Sequence, residues 1–200
     1  MRAVLFGLLL AASAAAAAPA QAPGRPDPSA VTAGSYSVEP NHTQVRFGVL
    51  HMGFNPYYGT FSQASGTLSL DPAHPNTAAL SVSVPVASVM TTSTTLDGEL
   101  KSADWLDAAK FPAMTFKSTN VAVKDNTAIV NGTLTLHGVS RPIALQARFI
   151  GAGKNPMGGA QTVGFVARGV IKRSDFGVTK YVPLVSDQVT IEITAAFEKK

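Results

Sequence analysis

The chain has 200 residues, a net charge of +4, 46% hydrophobic residues and no cysteine. The absence of cysteine excludes disulfides, thiolate metal sites and a Cys nucleophile, and it fits an oxidising compartment such as the bacterial periplasm. The basic residues do not cluster, which argues against a nucleic-acid surface.

The chain opens with Arg2, an apolar run Ala3–Leu10 and a small-residue stretch ending in Ala18-Pro19-Ala20. This pattern predicts a secretory signal peptide over residues 1–20, cut near Ala20-Gln21. Its tail is too rich in alanine for a membrane span, which needs about 20 strongly apolar residues. Residues 21–33 are rich in Pro, Ala and Gly and are expected to form a disordered lead-in. A single domain is expected over residues 34–200.

From Gly34 on, apolar and polar residues alternate with period two. Strands are expected at Gly34–Val38 and Gln44–Met52, separated by a turn at Pro40-Asn41-His42. The second places Val45, Phe47, Val49 and His51 on one face. Thr60–Leu70 continues as strand with a bend at Ser65-Gly66. Ala79–Met90 follows, carrying Leu80, Val82, Val84 and Val86 on one face, and Pro85 marks a missing ladder bond.

Alternation stops over Thr91–Lys117, which holds the only Trp (Trp105), several acids and Phe111-Pro112. A short helical cap is expected at Asp97–Ala109, with Pro112 returning the chain to strand. The carboxylates Asp97, Glu99, Asp104 and Asp107 are expected to be helix-end and solvated charges. Strands resume at Ala113–Lys124, Thr127–His137, Ile143–Ile150, Gln161–Lys172 and Gln188–Phe197. Gly151–Gly159 reads as a flexible hairpin loop and Arg173–Ser186 as an ordered one.

About eight hairpin-linked strands with no βαβ rhythm point to an all-β fold, a sandwich or an up-and-down barrel. The long meander favours the barrel, which has no exposed edge. The strand ends lack aromatic girdles and a helical segment interrupts the meander, so integral membrane insertion is not expected. The four histidines show no metal spacing. His42 and His74 read as turn residues. His51 and His137, at strand ends, are candidates for a polar cavity mouth. No G-x-S-x-G elbow, P-loop or dinucleotide fingerprint is present.

Several short segments, in order and spacing, resemble the YceI family of secreted lipocalin-like proteins. They are Leu100-Lys101-Ser102, Asp104-Trp105-Leu106-Asp107, Lys110-Phe111-Pro112, Thr115-Phe116-Lys117-Ser118, Gly132 to Pro142, and Arg173-Ser174-Asp175-Phe176-Gly177. The resemblance spans nearly all of the chain from Ser35. Trp105 departs from it, since the family usually has Phe there. The resemblance implies an extended antiparallel eight-stranded barrel with a short helical insert and an apolar tunnel for an isoprenoid or similar lipid. The implied partners are an isoprenoid quinone, a polyprenyl chain or another amphiphilic lipid, with a homodimer allowed and no cofactor beyond the lipid.

On this reading the protein is a periplasmic, non-catalytic lipid binder that needs no charged anchor. Phe47, Val49, Phe61, Val84, Leu100, Trp105, Leu106, Phe116, Leu136, Phe149, Phe165 and Ile171 are expected to line the tunnel. Arg173 and Asp175 are expected to pair structurally, outside the site. The rival readings are a lipid-acting enzyme using His51 or His137 inside the lumen, and a structural protein with a filled barrel.

Overall fold

A computed structural model describes residues 22–200. The leader expected over residues 1–20 lies outside the described residues. The elements, in chain order, are β1 (Gly34–His51), β2 (Asn55–Phe61), β3 (Ser65–Leu70), β4 (Ala79–Pro85), α1 (Thr94–Lys101), β5 (Ala113–Lys124), β6 (Thr127–Leu136), β7 (Val139–Lys154), β8 (Gln161–Lys172) and β9 (Gln188–Lys199).

These strands close into an eight-stranded antiparallel barrel. β1 pairs with β9 along one edge, which closes the sheet. Along its other edge, β2 pairs with the second half of β1 and β3 with the first half. β2 and β3 are therefore one barrel position broken at Ser62–Ala64, and nine strands fill eight places. The remaining neighbours follow chain order from β3 to β9.

β1 is one long strand, where the sequence suggested two. Pro40-Asn41-His42 does not turn the chain; the ladder to β9 shifts register between Glu39 and Gln44. The bulge changes which parity faces inward. Tyr36 and Val38 are buried before it, whereas Val45, Phe47 and Val49 border the interior after it. β5 repeats the device. A register shift between Ser118 and Asn120 lets Met114 and Phe116, then Val121 and Val123, all face inward. In β7 a shift between Phe149 and Gly151 turns Ala152 inward, and the strand runs on to Lys154, through half of the loop expected at Gly151–Gly159. Each shift inserts an odd number of extra residues, three in β1 and one each in β5 and β7, so it flips every side chain beyond it.

β4 ends at Pro85, short of the expected Met90, because Pro has no N–H for the ladder. A helical turn over Val86–Ser88 follows. α1 starts earlier and ends sooner than the expected Asp97–Ala109. Ser93 caps it by accepting a hydrogen bond from the Leu96 amide at 3.3 Å. Asp97 accepts from both the amide and the hydroxyl of Thr91, each at 2.7 Å, fixing the approach to the helix. From Ser102 to Lys110 the chain continues as linked turns, with the Leu106 amide bonded to the Leu100 carbonyl.

The lead-in is ordered where it is described, contrary to expectation. Arg25 bridges to Ala152 through two backbone hydrogen bonds, and Gln161 donates to the Ala30 carbonyl at 2.7 Å. Val31 is buried in the core. Bulky, φ-restricted prolines lower the entropy lost when such a segment docks, so a composition typical of linkers also suits a rigid plug.

Candidate functional site

Inward alternation from all eight barrel positions should give either a packed interior or a lumen. The distinction is visible in four aromatic residues. Phe47, Phe116, Phe149 and Phe165 all point inward, yet none is fully buried. They border empty space. The cavity has a volume of about 770 Å³, within the range of about 300–1,000 Å³ typical of small-molecule sites. Packed interiors hold few voids larger than one water, so this barrel is hollow.

The cavity runs from end to end. At one end its wall includes Leu96, Leu100, Trp105 and Leu106 from the α1 segment, with Tyr181 and Val185 from the loop before β9. At the other end the wall includes Pro28 and Val31 of the lead-in and Pro72, Pro75 and Ala78 of the β3–β4 loop. Between them lie Val189, Ile191, Ile193, Ala195 and Phe197 of β9. The wall is almost wholly aliphatic and aromatic. Phe47 packs on Phe61 with ring centroids 5.5 Å apart, and Phe149, Phe165 and Phe197 form an edge-on series at 5.7 and 6.2 Å.

All twelve apolar candidates from the sequence, Phe47, Val49, Phe61, Val84, Leu100, Trp105, Leu106, Phe116, Leu136, Phe149, Phe165 and Ile171, reach this one wall. His51 also reaches it, at the rim, next to Met52. His137 does not. It sits at positive φ (52°) where β6 turns into β7, edge-on to Phe111 at 4.8 Å, with its Nδ1 3.1 Å from the Phe176 carbonyl oxygen. It is a packing residue outside the lumen, which corrects its candidacy as a mouth residue. His42 and His74 each bind a neighbouring carboxylate, Glu39 at 2.6 Å and Asp71 at 2.9 Å.

Arg173, too, stands elsewhere than the sequence suggested. It does not pair with Asp175, which is exposed. Arg173 is 5% exposed, and its guanidinium donates to the carbonyls of Ser186, Val178 and Val185 at 3.0, 3.0 and 2.8 Å. Burial holds its pKa below the ordinary arginine value, and the Asp187 charge acts the other way. Asp187 is itself engaged, accepting from the amide and hydroxyl of Ser174. Arg173 also borders the lumen, with Cζ 5.5 Å from the centre of the Trp105 ring. A charged group therefore stands at the wall of a cavity that was expected to need none. Its signal in the sequence was faint, one Arg at the end of β8 before a loop. Tyr181, edge-on to Trp105 at 6.1 Å, had no signal at all, because loop geometry alone brings it there.

Residues 36–197 match the family model for a YceI-like domain. The chain belongs to the YceI family. It is 37% identical to protein YceI of Salmonella arizonae over 156 residues, covering 78% of this chain and 81% of that protein. Among solved YceI structures, that of Campylobacter jejuni superposes with a TM-score of 0.64 at 33% identity, over 71% of this chain and 84% of that one. BcnA of Burkholderia cenocepacia superposes with a TM-score of 0.69 at 26% identity, over 77% and 95%. A polyisoprenoid binding domain from Saccharophagus degradans shares the fold at 16% identity, with a TM-score of 0.61 over 82% and 98%. No helix among the described residues is long and apolar enough to cross a membrane.

Proposed function

We propose that this YceI protein binds a long-chain isoprenoid or related amphiphilic lipid inside the barrel and carries or stores it in the periplasm, without catalysing a reaction. The observation that carries the reading is the hollow apolar lumen, bordered by inward aromatic residues that remain only half-buried. Such a cavity has one evident use, to remove an alkyl or prenyl chain from water. Each buried CH₂-sized group contributes about 0.8 kcal/mol, so ten would give roughly 8 kcal/mol before the entropic costs of binding. The polyisoprenoid binding named for the Saccharophagus degradans domain supports the same ligand class here. The predicted leader and the lack of cysteine support export.

The test is mass spectrometry of the natively purified protein after organic extraction, followed by titration with prenyl quinones. Trp105 is the only tryptophan and lines the cavity, so its fluorescence reports occupancy. A co-purifying lipid and a saturable Trp105 shift are expected. No extracted lipid together with a silent Trp105 would sink the reading. His51→Gln should leave binding intact, and loss of binding in that variant would favour an active role for the imidazole.

A further inference from the structure

Half of the large hydrophobic side chains exposed among the described residues lie in two segments at the α1 end of the barrel. Leu50, Met52 and Phe54 come from the tip of the β1–β2 hairpin, and Tyr181, Val182 and Leu184 from the loop before β9. Backbone bonds hold the two segments side by side. The Met52 amide donates to the Leu184 carbonyl at 2.7 Å, and the Ser186 amide to the Leu50 carbonyl at 2.9 Å. Phe54 is 84% exposed and Leu184 59%. No Asp, Glu, Lys or Arg occurs from Phe47 to Leu70 or from Tyr181 to Ser186.

Turn chemistry does not account for this patch. Met52 and Gly53 both stand at positive φ (50° and 72°), and the Phe54 amide closes the turn on the His51 carbonyl at 2.9 Å. Such positions favour Gly, Asn and Asp. A Met there, followed by an exposed Phe, serves neither the turn nor solubility. Contiguous exposed apolar surface marks a docking site, and two observations name the occupant. The first is continuity with the lumen: Met52 and Tyr181 belong both to the patch and to the cavity wall, so apolar surface runs from the outside of the barrel into its cavity. A protein partner needs no such continuity, whereas a lipid leaving a bilayer does. The second is the rim. Arg46 Cζ lies 3.9 Å from the centre of the Tyr58 ring, and Lys180 Nζ 5.4 Å from that of Tyr181. Tyrosine rings with cations beside them suit the boundary between lipid and water, where the ring sits at headgroup depth and the cation reaches out. Each cation also has a carboxylate partner, Glu192 at 3.4 Å and Asp104 at 2.6 Å. The rim is therefore charge-balanced and fits a zwitterionic surface instead of an anionic one.

We propose that the α1 end of the barrel docks on a lipid bilayer, with Phe54 and Leu184 entering the headgroup region, and that lipid passes between bilayer and lumen beside Met52 and Tyr181 without crossing bulk water. The docking is peripheral: two loops enter the interface and apolar burial holds them there. The proposal rests on the lipid-binding reading and adds to it the surface that supplies the ligand.

The test measures docking and lumen binding separately on the natively purified protein. Flotation with phosphatidylcholine vesicles reports docking, and displacement of a fluorescent apolar probe in the absence of vesicles reports the lumen. The wild-type chain should float with the vesicles to the same extent at low and high salt and with or without anionic lipid. The double variant Phe54→Ser, Leu184→Ser should bind vesicles at least tenfold more weakly. Both side chains are exposed and outside the cavity wall, so its melting temperature and probe binding should match the wild type.

Transfer of a fluorescent prenyl compound from vesicles to the protein, read by energy transfer from Trp105, should quicken with vesicle concentration and be about tenfold slower in the double variant. A wild-type chain that binds the probe but does not float, a double variant that floats equally well, or flotation that requires anionic lipid would overturn bilayer docking and leave lipid binding standing. A wild-type dimer that the double variant converts to monomer would assign the patch to a second copy and overturn the docking as well. Failure of the lumen to bind the probe or the prenyl compound would overturn both readings.

Discussion

Phe47 on β1 stands directly opposite Gly59 on β2, and its ring covers the glycine. A Cβ at Gly59 would collide with the Phe47 ring and press on the Thr91 methyl. The missing side chain lets the ring lie against the barrel wall instead of across the lumen. Gly59→Ala should push the ring inward, where there is room for it. The expected stability cost is at the low end of the about 1–3 kcal/mol typical of overpacking. The larger effect should be a several-fold loss of affinity for long-chain ligands. Thermal melts and probe displacement on the same variant separate the two; a large loss of stability with unchanged affinity would contradict this placement of Phe47.

The hollow lumen makes inward phenylalanines unequal. Phe176 is 1% exposed and packs with Leu134, Leu136 and Ile171 in a dense cluster beside the α1 end. Phe176→Ala should cost about 3–5 kcal/mol, as for a packed core. Phe165 already borders empty space, so Phe165→Ala removes fewer contacts and should cost clearly less, while changing which chains bind. Urea denaturation of the two apo variants checks this. Equal losses would mean that the barrel is filled.

The α1 cap is tied to the loop before β9 by an ion pair. Lys180 Nζ lies 2.6 Å from Asp104 Oδ2; Asp104 is exposed and Lys180 partly so. The hydrogen bond to Asp104 raises the Lys180 pKa above its ordinary value of 10.5, so the Lys180 ammonium keeps its charge at neutral pH. Exposed pairs add little to global stability and are screened by salt. Lys180→Ala should therefore leave the melting temperature nearly unchanged but speed ligand release, and high salt should do the same to the wild-type chain. Stopped-flow release monitored at Trp105 measures both.

Asp187 sets an acid limit on the loop that carries Arg173. Two hydrogen bonds from Ser174, backbone amide first and hydroxyl second, hold its pKa below the ordinary 3.8. A lowered carboxylate pKa stabilises the fold at pH values above the unfolded value, and the contribution is lost as pH falls through the folded one. The loss begins as pH falls toward the ordinary 3.8 and is complete below the lowered folded value. Other carboxylates share that range, so Asp187→Asn should make the acid dependence of stability shallower without abolishing it. Chemical denaturation midpoints across this range test the slope, and an unchanged slope would remove Asp187 from the account.

Period-two alternation carried most of the barrel in the sequence. β9 reads inward as Val189, Ile191, Ile193, Ala195 and Phe197, and all five reach the lumen. Local chemistry also marked the interruption at Thr91–Lys117, because alternation fails there and Pro112 returns the chain to strand. The bulges in β1, β5 and β7 were not legible. A bulge is decided by how two strands fit across the sheet, and Pro40-Asn41-His42 looks the same in a turn as in a bulged strand. The ordered lead-in was missed for a related reason: its contacts, with Ala152 and Gln161, lie more than a hundred residues away.

By itself the sequence determined an all-β fold with alternating strands and an interruption over Thr91–Lys117, since alternation and prolines act over a few positions. Only the tertiary structure decided that the inner face encloses space instead of side chains. Closure of β1 on β9 sets the barrel's width, and no residue encodes that width alone. Closure also decided that Arg173, read as a loop residue, would stand over Trp105 at the wall of the cavity, because the two meet only once the cap and the loop before β9 fold over the same end.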